Sequence, residues 1–303
     1  MKRLLSIADL SSADVEDLFR LAAEWKARTK AREARTPLVG YSLALVFEKP
    51  SLRTRVTFEV GMAQLGGASV YLAGQDIGLG RRESIADVAR NLGRWVDVIA
   101  ARTFAQATVD DLARHAGIPV VNALSDFEHP CQALADFFTL WERGLDLRRL
   151  RLAWIGDGNN VSHSLILLAG LLGAEMTMAV PPGFEPDARV VETARTWGGR
   201  VTVTGDVPDA ARGADALYTD VWTSMGQEAE RDRRLEAFSR YQVNERVVGF
   251  AKPGAVVMHC LPAHRGEEIT DAVLDGPQSV VLDQSENRLH AQKAVLLRLL
   301  GKG

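Results

Sequence analysis

The amino-acid sequence predicts an α/β fold in which two doubly wound parallel-sheet lobes flank an active-site cleft. Short apolar runs typical of buried strands alternate with segments of helical spacing, which is the order expected of parallel sheets. The alternation stops near Gly144 and then restarts, so the 303 residues are expected to form two domains. Polar motifs follow several strands, at the carboxyl ends where ligands bind in such sheets.

The first lobe is predicted to contain four strands and five helices. The predicted strands cover 41–47, 68–72, 96–100 and 118–121. The predicted helices lie near 12–30, 52–66, 83–94, 107–116 and 130–143.

The second lobe repeats the same alternation after a hinge at 144–148. Its predicted strands cover 151–155, 176–180, 200–203, 215–219, 255–258 and 279–282, and a last helix runs over 285–300. We therefore expect domains at 1–143 and 144–284, with the segment 285–303 packing back on the first domain.

Composition narrows the classes of function. A formal net charge of −3 gives no basic field, which argues against nucleic acid as a partner. No apolar run reaches the roughly 18 residues of a membrane span, and the beginning of the chain does not resemble a signal peptide. Two cysteines, Cys131 and Cys260, do not indicate a disulfide scaffold. These observations predict a cytoplasmic protein without membrane contacts.

The segment Ser51-Leu52-Arg53-Thr54-Arg55 indicates an anion site. It follows an apolar strand and opens a helix, so free backbone N–H groups and the positive end of the helix dipole point at one place. Arginine and hydroxyl side chains there favour phosphate. Arg53 and Arg55 lie about 200° apart on a helix, so we assign Arg53 to the ligand and Arg55 to an ion pair with Glu59. The alternative is a charged helix start capped by Ser51.

Two further motifs of the first half suit the same anion. Arg102 lies just past a strand, where a second arginine would help to hold a dianion, although an ordinary surface arginine is the alternative. His129-Pro130-Cys131-Gln132 opens a helix, and its His and Gln side chains can bind an acyl oxygen and an adjacent amide. A lone histidine is more often structural, but this group of four is more specific.

The second half carries three polar segments. Gly156-Asp157-Gly158 lacks the third glycine of a dinucleotide loop, because Val161 occupies that position, so we discount NAD and assign Asn160 to a small polar ligand. Asp220 is placed to bind an ammonium group, and the loop at Ser224 and Met225 to meet a carboxylate.

A metal ion is the alternative interpretation of His259, Cys260 and His264. Neighbouring side chains on an extended strand point in opposite directions, so we expect His259 and Cys260 not to share a zinc ion. The sequence therefore predicts no metal and no cofactor.

Taken together, these motifs resemble the aspartate/ornithine carbamoyltransferase family. S-x-R-T-R and H-P-x-Q resemble its carbamoyl phosphate domain, and D-x-W-x-S-M-G and H-C-L-P resemble the second domain of its ornithine-specific members. The segment 283–293 is similar to the closing stretch of the family, so the resemblance covers the whole chain.

The resemblance implies transfer of a carbamoyl group to the δ-amine of L-ornithine, in arginine biosynthesis or catabolism. It also implies a homotrimer, or a multiple of trimers, in which a neighbouring loop near 75–84 reaches each site. The residues implied for carbamoyl phosphate are Ser51, Leu52, Arg53, Thr54, Gly78, Arg102, His129, Pro130, Cys131, Gln132, Cys260, Leu261 and Arg288. Those implied for ornithine are Leu124, Asn160, Asp220, Ser224 and Met225. The residues implied in catalysis are Arg53, Arg102, His129, Gln132, Asp220, Cys260 and Arg288.

Two departures from the family pattern bear on the site. Leu52 stands where threonine is frequent, and we expect a backbone N–H contact there to survive. Gly78 stands where the neighbouring loop often carries glutamine, and we hypothesise that Arg81 or Arg82 substitutes for it. Two other interpretations stay open at this point: a carbamoyltransferase for putrescine, an acylated ornithine or aspartate, and a non-catalytic protein that retains the phosphate lobe.

Overall fold

The computed structural model of the chain describes residues 1–224 and 226–303. The chain divides into two compact units, which are described separately below. Unit 1 comprises residues 1–138 and 286–303, and unit 2 comprises residues 139–285. Each unit contains one parallel β-sheet, so the predicted α/β class with two parallel sheets is confirmed.

The sheet of unit 1 has the strand order β2-β1-β3-β4, and every pairing is parallel. In its register Phe47 at the end of β1 lies opposite Arg102 at the end of β3. The turn after β1 and the segment after β3 therefore leave the sheet at the same edge. The strands are β1 Ser42–Phe47, β2 Ala68–Ala73, β3 Val98–Arg102 and β4 Val120–Leu124.

Helices flank this sheet, and three of them, α1, α2 and α4, begin with a serine side chain that caps the first turn. Ser51 precedes α2 and its hydroxyl accepts a hydrogen bond from the backbone N–H of Thr54 at 3.2 Å, as expected of an N-cap serine. Buried side chains of α4 and α5 pack with those of β1 and β3 in the core of the unit. The helices are α1 Ser12–Lys30, α2 Leu52–Gln64, α3 Gly74–Ile77, α4 Ile85–Trp95, α5 Gln106–Ala116 and α6 Pro130–Glu142.

The sheet of unit 2 has the order β7-β6-β5-β8-β9 and is also parallel throughout. Thr219 at the end of β8 lies opposite His259 at the end of β9, so Asp220 and Cys260 follow neighbouring strand ends. The strands are β5 Arg151–Ile155, β6 Glu175–Ala179, β7 Arg200–Thr204, β8 Ala216–Thr219 and β9 Val256–His259.

The helices of unit 2 are mostly short. An aromatic cluster forms part of its core, in which the rings of Trp222 and Phe238 stack with centroids 5.9 Å apart. The helices are α7 Asn160–Leu172, α8 Ala188–Thr196, α9 Val207–Ala211, α10 Arg231–Phe238, α11 Glu245–Val248 and α12 Asp271–Leu274. Two helices cross the boundary between the units in the sequence: α6 after Phe138, and the last helix, α13 Val281–Leu299, after Ser285.

The predicted strand over 279–282 is wrong. Ser279 forms only an isolated bridge with Val257, and the backbone N–H of Val280 donates to the Val257 carbonyl oxygen at 2.9 Å. The chain then enters α13 at Val281, four residues earlier than predicted. An apolar run this short fits a buried strand or a buried helix start equally well, so periodicity alone does not distinguish them.

None of the helices in residues 1–224 and 226–303 is long and apolar enough to cross a bilayer.

Candidate active site

Three of the residues predicted to bind an anion in unit 1 have side chains that meet at the hydroxyl group of Thr54. Thr54 Oγ1 accepts a hydrogen bond from Arg288 Nη2 at 2.8 Å and lies 3.4 Å from Arg102 Nη1. All three residues are buried, with Thr54 at 0%, Arg102 at 6% and Arg288 at 3% exposure. Two guanidinium groups thus converge on the first turn of α2, where backbone N–H groups and the helix dipole already favour an anion.

The two arginines of the opening motif have separate tasks, as predicted from their spacing. Arg55 Nε donates to Glu59 Oε1 at 3.1 Å, which confirms the predicted ion pair. The Arg55 guanidinium carbon also lies 3.8 Å from the centre of the Tyr71 ring. Arg53 is half-buried beside Thr54 at the start of α2. Arg55 is thus occupied on the helix surface, while Arg53 lies in the turn that is predicted to bind the anion.

His129 is a buried, neutral imidazole at the start of α6. Burial holds the pKa of His129 well below 6.5, and the positive charges of Arg288 and Arg102 lower it further. The ring is therefore uncharged near pH 7 and presents one N–H donor and one acceptor. A neutral donor beside two arginines suits the predicted binding of a carbonyl oxygen.

Cys131 and Gln132 follow His129 on the same turn. Burial raises the pKa of the Cys131 thiol to about 12, so it stays protonated, and its Sγ donates to the Asn122 carbonyl oxygen at 3.7 Å. The Cys131 side chain thus has a packing role, and only its backbone is left for a ligand. Gln132 is 1% exposed, and its Nε2 donates to Asp136 Oδ1 at 2.8 Å.

The two positions that depart from the family pattern have different surroundings. The Leu52 side chain is 74% exposed, which leaves only its backbone N–H in the first turn of α2 for an anion. Gly78 ends α3 in the left-handed region at φ 59°, and a Cβ there would lie 2.7 Å from the Arg82 Cβ. Any other side chain would be strained at this position. Arg81 and Arg82 are exposed in the turn that follows.

Asp220 is the centre of the polar site in unit 2. Its Oδ2 accepts a hydrogen bond from Asn159 Nδ2 at 2.8 Å, and its Oδ1 accepts from Cys260 Sγ at 3.0 Å. The backbone N–H of Val221 also donates to Oδ1 at 2.8 Å. Asp220 is 6% exposed and Cys260 is half-buried, so the pair forms a largely dry acceptor for an ammonium or amine group.

The loop after Cys260 is held by a histidine–glutamate pair. His259 Nδ1 accepts a hydrogen bond from the Leu261 N–H at 2.8 Å, so Nε2 carries the proton and faces Glu268 Oε1 at 2.9 Å. Leu261 itself has a φ of 57°, which is unusual for a residue with a side chain. The pair therefore fixes the backbone of Leu261 beside Cys260.

The expectation that His259 and Cys260 point apart is wrong. Their possible ligand atoms and those of Asp220 all lie within 4.8 Å of one another, because the chain leaves its extended conformation after β9. Both ring nitrogens of His259, however, are already engaged with Leu261 and Glu268. A second group of possible ligands comprises His264, Glu267 and Glu268.

A buried ion pair supports the loop that carries Ser224. Arg234 Nη1 donates to Asp157 Oδ2 at 2.9 Å and to the Trp222 carbonyl oxygen at 3.0 Å. Burial raises the pKa of Asp157 to about 6, although Arg234 opposes this shift. Ser224 is half-buried, and its N–H donates to Gln227 Oε1 at 3.0 Å. Met225, also predicted to bind ornithine, lies outside the described residues.

The glycines after β5 have a structural explanation. A Cβ on Gly158 would lie 2.2 Å from the Pro186 backbone nitrogen, and the Gly158 N–H donates to the Phe184 carbonyl oxygen at 2.8 Å. Only glycine allows the two backbones to approach this closely. The turn between β5 and α7 therefore lies tight against the segment 184–186.

Within each unit the structure brings several predicted residues together. In unit 1, Arg288 reaches Thr54 from α13, and Leu124 pairs with Arg102 between β4 and β3. In unit 2, Asn160 is half-buried as the first residue of α7, next to the cap.

Sequence reasoning missed two supporting residues of unit 2. Asn159 binds Asp220, and its position as an N-cap could have signalled a side chain held in place at this turn. Arg234 gave no such signal, because its partner Asp157 is 77 positions away.

The comparisons with known proteins agree with this geometry. Residues 2–142 match the aspartate/ornithine carbamoyltransferase carbamoyl-P binding domain, and residues 148–299 match the Asp/Orn binding domain of the same family. The chain belongs to the aspartate/ornithine carbamoyltransferase family.

Relatives within this family are similar over their full length. An ornithine carbamoyltransferase of Methanoculleus marisnigri is 52% identical over 302 residues, which cover 100% of this chain and 98% of that protein. One from Geobacillus stearothermophilus is 52% identical and covers 98% and 96% of the two chains. The solved structure of ornithine carbamoyltransferase from Pyrococcus furiosus has a TM-score of 0.96 at 49% identity, over 99% of this chain and 97% of that one.

Proposed function

We propose that this member of the family is an ornithine carbamoyltransferase that converts carbamoyl phosphate and L-ornithine into L-citrulline and phosphate. The observation that carries the proposal is the convergence of Arg288 and Arg102 on Thr54 at the start of α2. Relatives about half identical over their whole length bear the name of this enzyme. An anabolic enzyme of Pyrococcus furiosus, 49% identical, favours a role in arginine biosynthesis.

Unit 1 supplies the groups for carbamoyl phosphate. Arg102, Arg288 and the N–H groups of residues 52–54 suit the phosphate, with Arg53 beside them. Neutral His129 donates to the carbonyl oxygen, and Gln132 offers its amide oxygen to the carbamoyl nitrogen. Charge that develops on the carbonyl oxygen and on the leaving phosphate is thereby stabilised by fixed donors.

Unit 2 supplies the groups for ornithine. Asp220 and Cys260 are proposed to bind the δ-amine, while Ser224, Met225 and Asn160 are proposed around the rest of the molecule. Asn159 and Cys260 hold the Asp220 carboxylate in one orientation, so its oxygens are positioned before the amine arrives. Such positioning is a large part of what an enzyme contributes to an acyl transfer.

In the proposed reaction the lone pair of the δ-amine attacks the carbonyl carbon of carbamoyl phosphate. The new C–N bond forms, the bond from carbon to the bridging oxygen breaks, and phosphate leaves with that electron pair. The amine loses one proton, which the Asp220 carboxylate is proposed to accept. A free alkyl amine has a pKa of about 10.4, so forming the neutral nucleophile at pH 7 costs about 4–5 kcal/mol.

Citrulline formation tests the proposal directly. The purified chain is incubated with carbamoyl phosphate and, in separate reactions, L-ornithine, N-acetylornithine, putrescine or L-aspartate. We expect citrulline from ornithine and little product from the other three amines. A preference for another amine would mean that unit 2 binds that amine instead of ornithine. No product with any amine would favour a protein that binds carbamoyl phosphate without catalysis.

We also propose that the enzyme is a homotrimer, or a multiple of trimers. Three apolar side chains lie four residues apart along α2 and are exposed, and others lie on edge strand β2 and at the end of α4. They are Leu52, Val56, Val60, Val70 and Trp95, with exposures of 74%, 43%, 38%, 43% and 70%. Second copies of the chain would cover these side chains and bring the loop 75–84 to a neighbouring site.

Light scattering of the purified protein tests the assembly. We expect the mass of three subunits or a multiple, and we expect Val60→Glu to reduce both the mass and the activity per subunit. A wild-type monomer with full activity would overturn the proposal.

A cytoplasmic location is proposed as well, because reducing conditions keep the Cys260 thiol available to donate to Asp220.

A further inference from the structure

Asp136 lies one helical turn after Gln132 on α6 and faces its side-chain amide. Gln132 Nε2 donates to Asp136 Oδ1 at 2.8 Å, while Gln132 is 1% and Asp136 0% exposed. A carboxylate in so dry a place is costly unless it accepts hydrogen bonds, so its presence beside a ligand-binding amide needs a reason.

The contact with Asp136 determines which way the Gln132 amide points. In the structure the Asp136 carboxyl oxygen accepts from the NH2 end of the amide, so the amide oxygen points the other way. Gln132 Oε1 is therefore turned away from Asp136, and it is buried without a hydrogen-bond partner in the part of the chain that the structure describes. A buried carbonyl oxygen left without a donor is destabilising, so a ligand N–H that pairs with it gains affinity.

We propose that Asp136 is a positioning residue that makes Gln132 a reader of the ligand's amino group. Asp136 holds Gln132 Nε2, so Gln132 Oε1 remains as an acceptor. An acyl phosphate can donate to this oxygen only if an amino group is attached to its acyl carbon. Acyl phosphates with a methyl group at that position leave the acceptor unpaired and bind weakly. This inference rests on the proposed binding of carbamoyl phosphate in unit 1 and adds the origin of its selectivity.

Two stable phosphonates isolate the contact. Phosphonoacetamide carries NH2 on its carbonyl carbon, and 2-oxopropylphosphonate carries CH3 there, while the rest of the two molecules is the same. Isothermal titration calorimetry gives the Kd of each, and the ratio of the two Kd values measures discrimination by the amino group. For the wild type we expect a ratio of about tenfold, which corresponds to about 1.4 kcal/mol and lies within the range of an unmade buried hydrogen bond.

Three variants separate positioning from damage to the fold. Asp136→Leu removes the acceptor, so the Gln132 amide can turn and the ratio should fall to about threefold or less. Asp136→Asn keeps one acceptor oxygen for Nε2 and should restore most of the wild-type ratio. Asp97→Asn is the matched control: Asp97 accepts hydrogen bonds from Ser42 at 2.7 and 3.0 Å in the same unit, and the variant should keep the full ratio.

The outcomes distinguish the inference from the function on which it rests. If the wild type binds neither phosphonate, the proposed function of unit 1 fails. If the wild type discriminates and Asp136→Leu discriminates equally well, the positioning role is wrong while the function stands. If Asp136→Leu raises the Kd of both ligands by the same factor, the role of Asp136 is only structural. The binding stoichiometry reports the folded fraction, so partial misfolding does not alter the ratio.

Discussion

Arg288 Nη2 donates a hydrogen bond to Thr54 Oγ1 at 2.8 Å, which joins residues 234 positions apart in the sequence. Thr54 is the first fully buried residue of α2, and Arg102 lies 3.4 Å from the same oxygen. Because the hydroxyl oxygen accepts from the arginines, its own hydrogen is left to donate in another direction. One short side chain thus holds two cations in place at the start of a helix.

Arg53→Ala should lower kcat/KM for carbamoyl phosphate by about 10²-fold or more, the size of a lost contact to developing negative charge. Arg55→Ala is the matched control, because the Arg55 guanidinium is already paired with Glu59. Steady-state kinetics of both variants make the measurement, and the control should stay within about threefold of the wild type. A mild effect of Arg53→Ala, or equal losses in both variants, would contradict the roles assigned to these arginines.

Asp220→Asn should lower kcat/KM for ornithine by about 10²-fold or more and leave the Kd of phosphonoacetamide nearly unchanged. The substitution removes the carboxylate that accepts from Asn159 and Cys260, and therefore the proposed acceptor for the δ-amine. Asp232→Asn changes an exposed residue of α10 and serves as the control. Loss of phosphonoacetamide binding in Asp220→Asn would argue that the effect spreads beyond the amine.

The value of kcat/KM for ornithine should rise between pH 6 and pH 9. Only the neutral δ-amine attacks, and its fraction grows about tenfold per pH unit below its pKa of about 10.4. His129 adds no step to this profile above pH 6.5, since its pKa is held well below that value. A profile that is flat from pH 6 to 9 would count against rate control by the free amine.

His290 should make the protein less stable in acid. Burial, with Lys293 nearby, lowers the pKa of His290 to about 4, against about 6.5 in the unfolded chain. Above pH 6.5 both states carry a neutral ring, whereas between pH 6.5 and 4 only the unfolded state gains the proton. The free energy of unfolding therefore falls as the pH drops through this window, by an amount on the order of 2–3 kcal/mol.

Replacing the ring tests this dependence. His290→Leu should show a smaller drop of the urea midpoint between pH 7 and 4.5 than the wild type. His115→Leu changes a half-buried histidine of α5 and should keep the wild-type drop. Parallel curves for the wild type and His290→Leu would show that this imidazole is not what weakens the fold in acid.

The sequence predicted the two parallel sheets because strand–helix alternation is a local pattern that reports directly on layer architecture. It also predicted the Arg55–Glu59 pair, which depends only on helical spacing. Two other contacts depend instead on how the strands are ordered in the sheet. They are the hydrogen bond from Arg234 to the Trp222 carbonyl oxygen and the hydrogen bond from Cys260 to Asp220. Strand order is a long-range property that periodicity does not contain.

The error at 279–282 has the same origin. Val280 and Val281 are both buried, but one bonds to β9 and the other begins a helix. Apolar residues are suited to either environment, so only the packing of the whole unit decides where the strand-like segment stops.

Asn159 makes two kinds of hydrogen bond, and together they restrict which residue types fit at this position. Its Oδ1 accepts from the N–H groups of Val161 and Ser162 at 3.0 Å each, while its Nδ2 donates to Asp220 at 2.8 Å. Aspartate or serine would begin the helix almost as well. Aspartate, however, would place a second negative charge next to Asp220. Serine has a single hydroxyl group, whereas the asparagine amide has an acceptor oxygen and a donor NH2 group at fixed positions. Helix initiation and the chemistry of the neighbouring acid thus select the same amide.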